Sequence, residues 1–250
     1  MPGIEHEAAT FLVMFARVGA VLMLLPVFSE EAVPGQIRLL MALGMSAGLW
    51  GVISPSIPDA AIAQHALAAS ALSETLVGLS IGMIIRIMFH AAAMAGSIVS
   101  LQIGLSSALV ADPSQGGHTT LLSKFAAVAA AVVCMAFDVH HLWIASIVES
   151  YGVLPVGGLP PAADFAELAI VAVGRAMALA LSLAAPLIVY GILFNVALGL
   201  ASRLAPAIQL FFILQPLNLI LGLALFGTVI GLMLATFAQE MAEWIQIAWK

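Results

Sequence analysis

Charge is scarce in this chain of 250 residues: seven Lys and Arg and thirteen Asp and Glu make up 8% of it. A water-soluble domain carries about 25% charged residues, because its surface has to be wetted. So little charge excludes a freely soluble globule; lipid or other protein must cover most of the surface. The cations are scattered singly and the net charge is −6, so the concentrated positive face that nucleic acid demands is missing. The single cysteine, Cys134, excludes an internal disulfide and a cysteine-based metal site. Set in a run of alanine and valine, it reads as a small buried hydrophobe. The acidic stretch Met1–Phe11 lacks the positive n-region and small-residue cleavage site of a signal peptide, so the first apolar segment is expected to stay in the mature protein. No G-x-x-x-x-G-K-[ST] nucleotide loop and no ladder of acids occurs, which argues against nucleotide hydrolysis by that route and against a proton-coupled carrier or pump.

Apolar sequence is what the chain has in abundance: 63% hydrophobic residues and a mean hydropathy of +1.17. Lone charges cut it into runs: Phe11–Phe28 with Arg17 inside, Leu39–Ile53, Leu67–Val110 holding Glu74, Arg86 and His90, Phe125–Phe137 continuing to Val148, Ala176–Ser202, and Leu204–Gln239. A membrane helix takes about 20 apolar residues. The pattern therefore predicts an all-α integral membrane protein with about six long, kinked helices arranged as hairpins. The last run, roughly 36 residues without a charge, would be about 54 Å long as one helix, against a hydrocarbon core of about 30 Å. It must break, tilt or extend beyond the bilayer. Pro216, Gly222 and Gly227 offer bending points, as Pro186 does in the run before it. Of the connectors Ser29–Arg38, Ser54–Ala60, Ala111–Thr120 and Glu149–Glu167, the last is rich in proline and marks a boundary before a C-terminal pair of long apolar segments. Loop cations are too few to fix orientation; the acidic N-terminus and Lys250 lean toward a cytoplasmic C-terminus.

Three patterns invite a chemical reading. Gly78-Leu-Ser80-Ile-Gly82 fits the G-x-S-x-G nucleophile elbow, but that motif needs a strand before it and a helix after it, and here both flanks read as one helix. The same glycines, like Gly44/Gly48 and Gly227/Gly231, are spaced to let two membrane helices approach closely; helix packing is the expectation. In Asp138-Val-His140-His141-Leu-Trp143, helical spacing puts Asp138 and His141 on one face and His140 off it. Zinc wants three or four ligands, so a polar helix end with Trp143 as interfacial anchor is expected, and no metal. Glu74 and Arg86 are costly in a membrane helix unless partnered or hydrated. Twelve residues apart, they lie about 18 Å from each other along a helix. Each is expected to meet another helix, another subunit or a hydrated passage, with Arg86 snorkelling to a helix end as the plainer alternative. Asn195, Gln209, Gln215 and Asn218 are expected to hydrogen-bond across helices.

Taken in order, several stretches resemble the FliR family of flagellar export-gate proteins. They are Arg17-Val-Gly with Leu25-Pro-Val-Phe-Ser29; Glu74 through Gly82; Gln102-Ile-Gly-Leu-Ser106 with Asp112-Pro113; Phe137 through Trp143, then Ser150 and Leu154-Pro-Val-Gly157; and Asn195 through Arg203-Leu-Ala-Pro206, then Gln215-Pro216-Leu. Ala207 departs from the family, which often has glutamine there. The resemblance implies a non-enzymatic, cofactor-free subunit of the type III export gate, in the bacterial inner membrane at the flagellar basal body. It would assemble with FliP-like and FliQ-like subunits, near FlhB-like and FlhA-like components, around a pore for unfolded flagellar proteins. Residues 1–160 would be FliP-like and 161–250 a FliQ-like hairpin.

The resemblance further implies that residues 104–122 form a plug loop in the closed pore. Gly104, Gly116 and Gly117 would permit rearrangeable turns, Leu105, Leu109 and Val110 an apolar seal, and Ser106, Ser107, Asp112 and Pro113 a segment tolerant of water once opened. Gly44, Gly48, Glu74, Gly78, Gly82, Arg86, Asn195, Arg203, Pro206 and Pro216 would serve packing and assembly. Three rivals remain open at this point: the homologous subunit of a virulence secretion system, a small-molecule permease with broken helices at Pro186/Asn195 and Pro216/Asn218, and an intramembrane protease using Ser80.

Overall fold

The computed structural model describes residues 3–28, 33–105, 120–158, 162–204 and 210–248. Among them all regular structure is helical: α1 (Ile4–Leu24), α2 (Gly35–Ile53), a 3-10 turn (Ser54–Ser56), α3 (Asp59–Ile62), α4 (Leu67–Gln102), α5 (Leu121–Ala136), α6 (Val139–Val153), α7 (Ala162–Leu204) and α8 (Leu210–Ala248). Five helices are long and apolar enough to cross a membrane, and α5 with α6 make a sixth span if the bent pair is counted as one. The chain is an all-α membrane protein, as the hydrophobic runs predict.

Local chemistry explains several boundaries. Pro34 precedes α2, and Pro55 starts the 3-10 turn, where a missing N–H leaves no orphan. Thr120 caps α5, its hydroxyl accepting from the Ser123 N–H at 3.3 Å. Between α5 and α6 the axis turns by 76°. The turn is made at Asp138, whose φ of 58° and ψ of 18° are left-handed, a conformation that Asp tolerates better than most residues.

Pro186 and Pro216, expected as bending points, lie inside their helices, α7 of 43 residues and α8 of 39 residues. Each proline forfeits one backbone hydrogen bond, a local loss that the rest of a very long ladder survives. The connector expected at Glu149–Glu167 is shorter, because α6 continues to Val153 and α7 begins at Ala162. Trp143 is no interfacial anchor; it is fully buried.

Contacts group the chain into two compact units. The first comprises Met1–Met88, Asp138–Val173 and Ala242–Lys250, the second Phe89–Phe137 and Gly174–Met241. The first unit buries Val13, Met14, Ile53, Ile81, Ile85, Trp143 and Ile147. There α1 and α4 approach closely at Gly78 and Gly82. A Cβ on Gly78 would fall on the Arg17 carbonyl oxygen and lie 2.8 Å from the Ala20 Cβ, and one on Gly82 would lie 2.8 Å from the Leu24 Cβ. The second unit packs Phe89 edge-on against Phe237 at 5.7 Å and Phe125 against Phe226 at 6.2 Å. In it Gly96 lets α4 meet α5, where the Ser123 hydroxyl donates to the Ala93 carbonyl at 2.8 Å.

Candidate functional site

The strongest polar arrangement lies in the first unit and centres on two residues with no exposed surface, Arg17 of α1 and Glu74 of α4. The guanidinium forks onto the carboxylate: Nε donates to Oε2 at 2.6 Å and Nη2 to Oε1 at 3.1 Å. Nη2 also donates to the Leu154 carbonyl at 2.9 Å, and Nη1 to the Ser150 hydroxyl at 3.2 Å. That hydroxyl passes its own proton to the Ile147 carbonyl at 2.6 Å. The Gly157 N–H, held by a φ of 84° that favours glycine, donates to Oε1 at 3.3 Å. The Arg17 Cζ sits 4.0 Å from the Tyr151 ring centroid, a cation–π distance. Four chain segments thus converge on one charge pair: α1, α4, α6 and the turn after α6.

Each element has a reason to meet there. Gly78, one turn beyond Glu74, removes the side chain that would hold α1 away, so the carboxylate reaches Arg17 directly. Burying a lone charge costs several kcal/mol, roughly, and only a paired, fully hydrogen-bonded charge escapes that penalty. The site leaves no carboxylate open to a proton donor and no nucleophile beside a base. What it can do is clamp helices.

Glu74 is expected from sequence to need a partner. That partner is Arg17, which the sequence presents as an interruption in the first apolar run and as part of a family-like stretch, not as a mate for Glu74. The available signal was a matched pair of lone opposite charges in separate apolar runs. Arg86 is half-buried, and no described residue forms an ion pair with it.

A second polar cluster lies in the second unit, at the end of α4. The Tyr190 hydroxyl of α7 lies 2.9 Å from Asn218 Oδ1 and 3.0 Å from the Asn218 carbonyl of α8. Asn218 Nδ2 donates to the Gln102 carbonyl at 3.4 Å. The Gln102 side chain lies against Gly191, and the Gln215 amide against Gly104, whose φ is 80°. Amides of α8 therefore tie down the last turn of α4. Asn195 behaves otherwise, donating within its own helix to the Gly191 carbonyl at 2.8 Å.

The remaining sequence-derived residues are scattered. No other described part of the chain lies within 4 Å of a Cβ built on Gly44 or Gly48. Arg203 is exposed at the end of α7, and Pro216 is exposed within α8. Leu105 is half-buried beside Gly104. Ser106, Ser107, Leu109, Val110, Asp112, Pro113, Gly116, Gly117 and Pro206 lie outside the described residues. The Ser80 hydroxyl donates to the Leu76 carbonyl at 2.9 Å in mid-helix, without the strand–turn–helix of a nucleophile elbow. The unbroken α7 and α8 also lack the split helices a permease site requires.

The family "Bacterial export proteins, family 1" matches residues 8–244. The chain belongs to that family. Among similar proteins of its FliR branch, "Flagellar biosynthetic protein FliR" of Caulobacter vibrioides is 39% identical, with 85% of this chain and 84% of that protein covered. The protein so named in Escherichia coli is 32% identical over 90% and 85% of the two chains. That of Bacillus subtilis is 29% identical over 84% and 81%. The match to the export family spans both the Arg17–Glu74 clamp and the Tyr190–Asn218 cluster.

Proposed function

We propose that this chain is a non-enzymatic channel subunit of the flagellar type III export gate. The coarse role, a flagellar export component in a membrane, follows from the family and from five apolar helices of spanning length. The finer reading is that it assembles with FliP-like and FliQ-like subunits in the bacterial inner membrane, at the basal body, to form the pore for unfolded flagellar proteins. FlhB-like and FlhA-like components are its neighbours. Residues 1–160 take the FliP-like part and residues 161–250 the FliQ-like hairpin. All the relatives reported above are flagellar by name, which favours the flagellar reading over a virulence system.

The observation that carries this reading is uneven cover. The spanning windows of α2 and α8 are only 17% buried within the chain, whereas that of α4 is 56% buried. In hydrocarbon, helices associate through close packing of small residues rather than through apolarity alone. Open Gly44 and Gly48 on α2, and open Gly227 and Gly231 on α8, are suited to receive neighbouring helices. The plug is residues 104–122, rooted where Gln215 and Asn218 hold the end of α4.

Two experiments test the reading. Shortening Ser106–Gly116 in the assembled gate is expected to let small ions leak across the membrane; unchanged impermeability refutes the plug. Expressed alone in detergent the chain is expected to aggregate, and co-expression with FliP-like and FliQ-like proteins to rescue it. A well-behaved monomer counts against obligate assembly.

A further inference from the structure

We propose that Asp138, His140 and His141, at the bend between α5 and α6, form a binding site for a divalent transition metal of the zinc class. One ligand atom from each of the three lies within 4.8 Å of the other two. His141 Nδ1 is 3.5 Å from Asp138 Oδ1. Two ligands each about 2.1 Å from a tetrahedral ion stand about 3.4 Å apart, so that edge of the site already has the length a metal requires. Two imidazoles and one carboxylate are a borderline donor set that suits zinc, cobalt or iron and leaves a position for water.

Two local features set the cluster apart from an ordinary polar helix end. Asp138 occupies the N-cap position of α6, where an Asp side chain normally accepts a backbone N–H. Its carboxylate makes no such cap; the left-handed backbone turns it toward His141 instead. Helical spacing alone would put His140 off the shared face, yet a ligand atom of His140 lies within 4.8 Å of those of Asp138 and His141. The His140 and His141 ring centroids lie 4.1 Å apart, so two imidazoles stand side by side at the site. The His140 Nδ1 is enclosed, with no hydrogen-bond partner among the described residues. The positive end of α6 opposes a cation, but one carboxylate and two imidazole lone pairs outweigh a partial charge. The Asp138 and His141 side chains are 74% and 67% exposed, so an ion can reach them from water.

The test uses the full chain, in its co-expressed assembly and carrying a tag without histidine. Cobalt(II) titration is expected to give one equivalent with the visible d–d bands of a low-coordinate ion, and zinc should displace them. Asp138→Asn keeps the tolerance of the left-handed backbone while removing the charge, and should weaken binding. The double variant His140→Gln/His141→Gln should abolish the bands at unchanged helicity by circular dichroism. Absence of cobalt bands in the unaltered protein, or equal binding by the folded double variant, would overturn the proposal. Either result leaves the export reading untouched, because the assembly is recovered in every arm.

Discussion

The helices α4 and α2 are both apolar and long enough to span a membrane, yet the chain treats them oppositely. The spanning window of α4 is 56% buried and its Glu74 is the centre of a four-segment clamp; that of α2 is 17% buried and, among the described residues, nothing lies against its glycines. Composition does not separate them, since both have high mean hydropathy. What separates them is a polar obligation. A buried carboxylate must find a cation, and once Arg17 supplies it, α1, α4 and α6 are fixed to one another. The charge in the α2 span, Arg38, lies in its first turn and donates to the nearby Val33 carbonyl at 3.0 Å; no described residue of α2 enters a buried ion pair, and its surface is left for other molecules. Cohesion within this chain thus comes from a few satisfied polar groups, while apolar surface in a lipid setting is the part left free to associate.

The comparison breaks most sharply at the clamp. Glu74→Ala leaves Arg17 buried and unpaired, and a loss of about 3–5 kcal/mol is expected, read as collapse of protease resistance in the co-expressed assembly. Arg17→Met/Glu74→Leu, which removes both charges, should recover much of that loss; a double variant as damaged as the single would show that the pair is not the cause. A smaller contrast pits Gly78 against Gly44. Leucine at Gly78 meets the backbone of α1 and should cost about 1–3 kcal/mol by overpacking. Leucine at Gly44 meets open space and should leave the chain's own protease resistance within about 0.5 kcal/mol of the original, while reducing co-purification of FliP-like and FliQ-like partners. Equal damage at both sites would erase the distinction between the covered and the uncovered helix. The smallest effect is expected at Tyr190→Phe, which loses the bond to Asn218, roughly 1 kcal/mol. It should lower the melting temperature of the assembly slightly; no change would show that the hydroxyl is equally well satisfied by water.

Much of this fold is legible in sequence, because lone charges punctuate apolar runs and the runs became the helices. The demand for a partner at Glu74 is legible too, through the cost of a carboxylate in oil. Its partner is not, since Arg17 is 57 residues away and no local pattern encodes that distance. Glycine spacing misleads in a similar way: Gly44/Gly48 and Gly78/Gly82 are identical motifs, and only the second pair has a helix against it. Pro186 is legible as a bending point, but the length of the helix around it is not: a 43-residue ladder absorbs one missing bond. The meeting of Asp138 and His141 is legible from i, i+3 spacing, whereas the left-handed backbone of Asp138 and the nearness of His140 are not, because helical spacing carries no information on either.

The clamp also has a history during synthesis. Arg17 leaves the ribosome well before its partners: Ser150 follows 133 residues later and Leu154 after 137. At roughly 5–20 residues per second, the first helix waits about 7–27 s with its guanidinium only partly accommodated. Whatever shelters the nascent segment in that interval, translocon wall or lipid headgroup, must let go of it once α6 arrives, so the first helix reaches its final surroundings only after α6 and the turn beyond it have been made.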